Sequence, residues 1–124
     1  MAVLSLENSY YRVEDSRPVE GGAVFRVALL PDSEVYQGHF PGRPVCPGVC
    51  HIEVVRQCAE RLTQRRLRIR RIVLARFPAP AAPADCPQVE VCVRVSPSGE
   101  GFSVNATLQA GGKTFLEFKG EMSV

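Results

Sequence analysis

The sequence predicts an α+β fold in which a curved antiparallel sheet wraps around one central helix. Three observations carry that expectation. Apolar and polar residues alternate with period two through the second half of the chain, one stretch near the middle has helical spacing, and glycine-rich turns separate the alternating segments. A length of 124 residues is enough for one domain and short for two, so residues 1–124 are expected to form a single unit.

Taken in order, Tyr10-Tyr11-Arg12-Val13-Glu14 reads as a short first strand and residues 23–30 as a longer one. Gly21-Gly22 between them suggests a hairpin. Residues 31–48 then hold four prolines and three glycines, too many breakers for regular structure. Proline fixes φ and glycine permits close approach, so this combination suits a loop held in one shape. A helix should begin near Pro47-Gly48 and run to about Thr63, with Val49, Ile52, Val55, Ala59 and Leu62 forming its apolar stripe. Arg56, Glu60, Arg61 and Gln64 fall on the wetter side, and Glu53 sits at the stripe's edge.

Beyond the helix, residues 71–77 are apolar enough for a strand buried on both faces. Residues 78–87 hold four prolines and end it. Val89, Val91, Val93 and Val95 alternate with Glu90, Cys92 and Arg94, a clear strand. Ser96-Pro97-Ser98-Gly99 reads as a turn, residues 102–109 as a strand, Gly111-Gly112 as a second turn and residues 113–122 as the last strand.

Composition narrows the function. Hydrophobic residues make up 45% and charged ones 23%, as in ordinary globular chains. A net charge of +2 provides no general field for nucleic acid, and no apolar run approaches the roughly 20 residues of a membrane span. Residues 1–7 lack the basic region and long apolar core of a secretory signal, so a cytoplasmic location is expected. In that reducing compartment the five cysteines, Cys46, Cys50, Cys58, Cys86 and Cys92, read mostly as buried thiols. Cys46, Cys50, His51 and Cys58 fit no common closed zinc spacing, so no metal is expected.

The segment Gly38-His39-Phe40-Pro41-Gly42-Arg43-Pro44-Val45-Cys46-Pro47-Gly48-Val49 carries the chemistry. A helix start exposes backbone N–H groups without intrahelical partners, and its dipole favours negative charge. Gly48 lets a ligand oxygen approach the Gly48 and Val49 amides, an oxyanion site for a carbonyl that gains charge. His39 has the one side chain whose ordinary pKa lies near neutrality, suited to a base. Glu53, one and a half turns into the helix, can hold or transfer a proton at a leaving group. Together these suit removal of a proton next to a thioester carbonyl followed by loss of a β-hydroxyl.

The same residues give a resemblance. Gly38-His39-Phe40-Pro41, Pro44, Pro47-Gly48-Val49, Glu53 and Gln57 match the pattern G-H-F-P-x-x-P-x-x-P-G-V, then an acid and a glutamine four residues further on. This resembles the hot-dog-fold 3-hydroxyacyl-acyl-carrier-protein dehydratases, the FabZ/FabA-like family, down to the fourteen residues from His39 to Glu53. Ala75-Arg76-Phe77-Pro78 and the bend through Asp85 are similar to a second family segment. Cys46, Cys50 and Arg56 depart from the family's aliphatic helix start, which points to a specialised member.

The resemblance implies a hot-dog fold and a catalytic pair, His39 and Glu53. It implies thioester binding at Gly48 and Val49, with Phe40, Pro47, Gln57 and Phe77 lining or supporting the acyl tunnel. It also implies a homodimer in which His39 of one chain faces Glu53 of the other, with a trimer of dimers as a further assembly. No cofactor is required, since the substrate rides on the phosphopantetheine of acyl carrier protein. Arginines crowd residues 61–71, and Arg43, Arg65, Arg66 and Arg68 are candidates for docking that acidic carrier. The arginines lack the interleaved aromatics of a nucleic-acid site. Two alternatives stand beside the dehydratase: an acyl thioesterase on the same fold, and a non-catalytic acyl-thioester-binding subunit.

Overall fold

The computed structural model describes residues 6–38 and 45–124; His39, Phe40 and Arg43 lie outside the described residues. The elements follow in the order β1 (Tyr11–Val19), β2 (Gly22–Leu29), a short 3-10 turn (Glu34–Gly38), α1 (Gly48–Thr63), β3 (Arg68–Arg76), β4 (Gln88–Ser98), β5 (Gly101–Ala110) and β6 (Lys113–Ser123). The six strands form one antiparallel sheet in the order β1-β2-β4-β5-β6-β3, and α1 packs against β2, β4, β5 and β6. This is the α+β arrangement that the sequence predicts, and it is a hot-dog fold.

Period two builds the core. Phe25, Val91, Leu108 and Leu116 stand in register across β2, β4, β5 and β6, and Ala23, Val93, Ala106 and Phe118 form the next row. All eight are buried. The alternate positions, such as Arg94, Asn105 and Lys119, form a polar row on the other face. Register shifts in β1/β2, β3/β6 and β5/β6 place bulges where the sheet bends, since each extra residue adds local twist.

Several expectations need correction. The first strand is longer than predicted and turns at Glu20-Gly21, one residue before the double glycine, because Gly21 takes the positive φ of 75°. Ser96-Pro97-Ser98 belongs to β4, and the turn tightens at Gly99-Glu100. The helix stripe is rotated: Cys50, His51, Val54, Val55, Cys58 and Ala59 are buried, whereas Val49 is 75% exposed. Ile52 and Leu62 only pack on the core's flank.

β3 is not buried on both faces. Among the described residues it pairs only with β6 and its other edge is open, and Ile72 and Val73 are exposed. At the opposite edge β1 carries Glu14, Asp15, Arg17 and Pro18, charge and a missing donor that discourage further pairing. β3 is also rich in charge, with Arg68, Arg70, Arg71 and Arg76, but it has no proline and exposes Ile72 and Val73.

Candidate active site

The start of α1 is braced from both sides. The Cys46 N–H donates to the Ala81 carbonyl at 2.7 Å, and the Cys46 thiol lies 3.5 Å from the Tyr36 hydroxyl. Ala81 is fully buried, so the proline-rich segment after β3 supports the segment that leads into the helix. Pro47, the N-cap, has extended backbone (φ −65°, ψ 141°) and no side-chain oxygen to cap with. The Cys50 and His51 N–H groups turn back to the Pro47 carbonyl at 3.0 and 3.4 Å. Gly48 and Val49 are first-turn amides, and no carbonyl within the helix is placed to accept from them.

Phe77 closes over this point. A Cβ on Gly48 would lie 2.9 Å from the Phe77 ring, so glycine is what lets the ring rest on the helix end. The same ring stacks on His51, with centroids 6.4 Å apart and planes at 27°. Among the described residues, Cys46, Gly48, His51, Phe77, Ala79, Pro80 and Phe115 line a cavity of about 330 Å³. Phe77 and Gly48, two of the candidate site residues, thus come together.

His51 was not read as a site residue from sequence, where it figured only in a rejected zinc set. It is 2% exposed, and its Nδ1 has no hydrogen-bond partner among the described residues. Burial pushes its pKa from the usual 6.5 down to about 4. It is therefore a neutral imidazole through the physiological range. A helical repeat centred on position 51 (51, 54, 55, 58, 59) would have found it.

Glu53 sits in a network of its own. Arg56 Nε donates to both of its carboxylate oxygens, at 2.9 Å to Oε1 and 3.1 Å to Oε2, and Arg56 Nη2 also donates to Oε1. Gln57 Nε2 adds a third donor to Oε1 at 3.1 Å. The Gln57 carbonyl accepts from the Tyr11 hydroxyl at 2.8 Å. Burial pushes the Tyr11 pKa well above the usual tyrosine value, so that hydroxyl remains a donor. Arg56 is fixed in turn by Glu60 at 2.9 Å and by the Leu67 carbonyl at 3.0 Å. Among the described residues the carboxylate is anchored mainly through Oε1, and Oε2 has a single contact, from Arg56 Nε.

Arg56 and Gln57 face an open groove of about 700 Å³ shared with Arg61, Arg65, Arg66 and Arg68. Arg61 is paired with Glu7 at 2.8 Å and Arg56 with Glu53 and Glu60. Among the described residues, Arg65, Arg66 and Arg68 form no ion pair. Positive charge in the groove is therefore only partly offset.

Residues 15–114 match the model of the ApeI-like family, described as ApeI dehydratase. This chain belongs to the ApeI-like dehydratase family. The matched span contains Gly48, Glu53, Gln57, Phe77 and the groove arginines. A 3-hydroxyacyl-[acyl-carrier-protein] dehydratase FabZ of Caulobacter is 33% identical over 89 residues, 64% of this chain and 54% of that protein. Another, from Novosphingobium aromaticivorans, is 50% identical over 32 residues, 26% of this chain and 20% of the relative. The chain spans about half the length of the first of these curated relatives and a fifth of the second.

Among solved structures, the dehydratase heterocomplex ApeI:P of Xenorhabdus doucetiae superposes with a TM-score of 0.62 at 21% identity, covering 87% of this chain and 92% of that one. An uncharacterised protein from Erwinia carotovora gives a TM-score of 0.57 at 18% identity, with 89% of each chain covered. These two likenesses speak to the fold. No helix among the described residues is long and apolar enough to cross a membrane.

Proposed function

We propose that this chain dehydrates a 3-hydroxyacyl thioester, carried on the phosphopantetheine of an acyl carrier protein, to the trans-2-enoyl thioester. The pathway would be fatty acid synthesis or a related, specialised acyl pathway. The observation that carries the reading is Glu53: Arg56, Gln57 and the Tyr11 relay fix it mainly through Oε1, Oε2 takes one contact from Arg56 Nε, and its helix begins with amides that have no acceptor within the helix. Membership of a dehydratase family supports it.

In this mechanism His39 removes the C2 proton and the Gly48 and Val49 amides stabilise the enolate oxygen. The enolate collapses to a C2=C3 double bond, the C3–O bond breaks, and Glu53 gives the departing hydroxyl its proton. One water leaves. No cofactor takes part.

Helix geometry argues that two chains build each site. Glu53 follows Gly48 by five residues, about 7.5 Å along the axis and about 140° around it. The Gly48 cavity and the groove beside Gln57 are accordingly lined by different residues. A homodimer in which His39 of one protomer faces Glu53 of its partner resolves this. Among the described residues the outer edge of β3 is unpaired, and its exposed Ile72 and Val73, with no proline in the strand, suit the joining of two sheets better than the edge of β1, which Pro18 interrupts. Replacing both Ile72 and Val73 by lysine is expected to yield a folded monomer with no dehydration activity. Light scattering that still reports a dimer would remove β3 from the interface.

The partly offset groove would receive the acidic carrier, with Arg65, Arg66 and Arg68 as its contacts. The decisive experiment is mass spectrometry of a 3-hydroxyacyl carrier protein incubated with the purified chain, beside a reversal of those three arginines to glutamate. Loss of one water with the natural chain supports the reading. The reversed variant should be at least about tenfold slower on the carrier substrate and near normal on a pantetheine thioester. Free acid in place of enoyl product would indicate a thioesterase. Unchanged substrate across chain lengths would indicate a binding subunit.

A further inference from the structure

Among the described residues, the cavity over the start of α1 is lined by carbon surface from Phe77, Ala79, Pro80 and Phe115, by the Gly48 backbone, and by two polar side chains, Cys46 and His51. The Cys46 thiol is already engaged with the Tyr36 hydroxyl at 3.5 Å, which leaves the His51 imidazole as the side chain in need of a partner. That imidazole is 2% exposed, and its Nδ1 has no hydrogen-bond partner among the described residues. A buried polar atom without a partner is costly, and a helix position facing the core would ordinarily be filled by an aliphatic side chain. An apolar residue here would complete the pocket for a plain alkyl chain. Histidine therefore sets a requirement that an alkyl chain does not meet.

We propose that His51 is a specificity residue, and that the pocket takes acyl groups carrying a second, neutral hydroxyl beyond C3. This rests on the pocket's being the acyl site of the proposed dehydratase. Two facts select a hydroxyl. A neutral imidazole has one donor and one acceptor nitrogen, and a hydroxyl satisfies Nδ1 in either tautomer because it can donate or accept. A carboxylate or phosphate is disfavoured, since the depressed pKa keeps the ring uncharged and no cation lines the cavity among the described residues. Position agrees as well: His51 lies three residues past Gly48, about 4.5 Å deeper along the helix than the amide assigned to the thioester carbonyl. The stacked Phe77 ring fixes the imidazole plane.

The test is calorimetric binding of saturated acyl-pantetheines matched in length, plain or with a hydroxyl scanned along the chain beyond C3. The probes are titrated into the natural chain, His51→Leu and His51→Gln. At one hydroxyl position the natural chain should bind about tenfold or more tightly than it binds the plain chain. His51→Leu should lose or invert that preference, and His51→Gln, which keeps a donor and an acceptor, should retain part of it. His51→Leu removes an unpaired polar atom at similar volume, so it is expected to fold. No preference at any position, or the same preference in His51→Leu, overturns the inference. Because binding is read without turnover, a chain that shows the preference yet dehydrates nothing would refute only the proposed reaction. One that dehydrates plain chains with no effect of His51 would refute only this inference.

Discussion

Glu53→Gln is expected to lower turnover by about 10²–10⁴-fold with little change in substrate affinity. Glutamine can keep the contacts that Oε1 makes, since its carbonyl accepts from Arg56 and Gln57 as the carboxylate does. It cannot supply an acidic proton from the second position, where Oε2 now stands with one contact. The fold should persist, because Arg56 stays tied to Glu60 and to the Leu67 carbonyl. Solvent exchange of the C2 hydrogen separates the two catalytic roles. If Glu53 acts only at the C3 hydroxyl, Glu53→Gln should still exchange that hydrogen near the normal rate, whereas His39→Ala should lose exchange and dehydration together. Turnover near normal in Glu53→Gln would remove it from the acid role.

The sheet was legible because its signal is local: alternation at 89–95 needs no knowledge of neighbours, and β4 follows it. The helix was legible in extent but misread in rotation. Val49 and Ile52 attract attention as apolar residues, yet the buried face runs through His51, Cys50 and Cys58, whose types do not announce a core. β3 shows the opposite difficulty. Its run of Ile72, Val73 and Leu74 was read as buried on both faces, while in the described chain that edge is open. Apolar content alone does not distinguish a neighbouring strand of the same chain from one in a second copy.

The site divides the same way. Gln57 beside Glu53 follows from their spacing of four on one helix, and the structure joins them. Tyr11 does not, since it reaches Gln57 from 46 residues away in β1 and no local pattern links the two. Arg56 was placed on the wet side, but its charge is held between Glu53 and Glu60. Such pairing depends on tertiary burial, which spacing alone does not convey.

His51 should also make the fold sensitive to acid. Its pKa is about 4 in the folded chain, because burial disfavours the charged ring, against the usual 6.5 when unfolded. Above pH 6.5 the ring is neutral in both states and its contribution to stability is fully present. As pH falls below that value the unfolded chain gains a proton that the folded one refuses, so stability declines until the folded ring also protonates near pH 4. The full difference corresponds to about 3 kcal/mol, of which about 2 kcal/mol should be lost between pH 7 and 4.5. Nearby Cys46 does not confuse the reading, since burial pushes its thiol pKa up and it stays neutral across this window. Urea unfolding of the natural chain and His51→Leu at the two pH values cancels what the two chains share and isolates the histidine. The natural chain should lose about 2 kcal/mol more than the variant on acidification. Parallel losses would mean that the ring is hydrated or paired in solution, and would weaken the case for an unsatisfied Nδ1 in the acyl pocket.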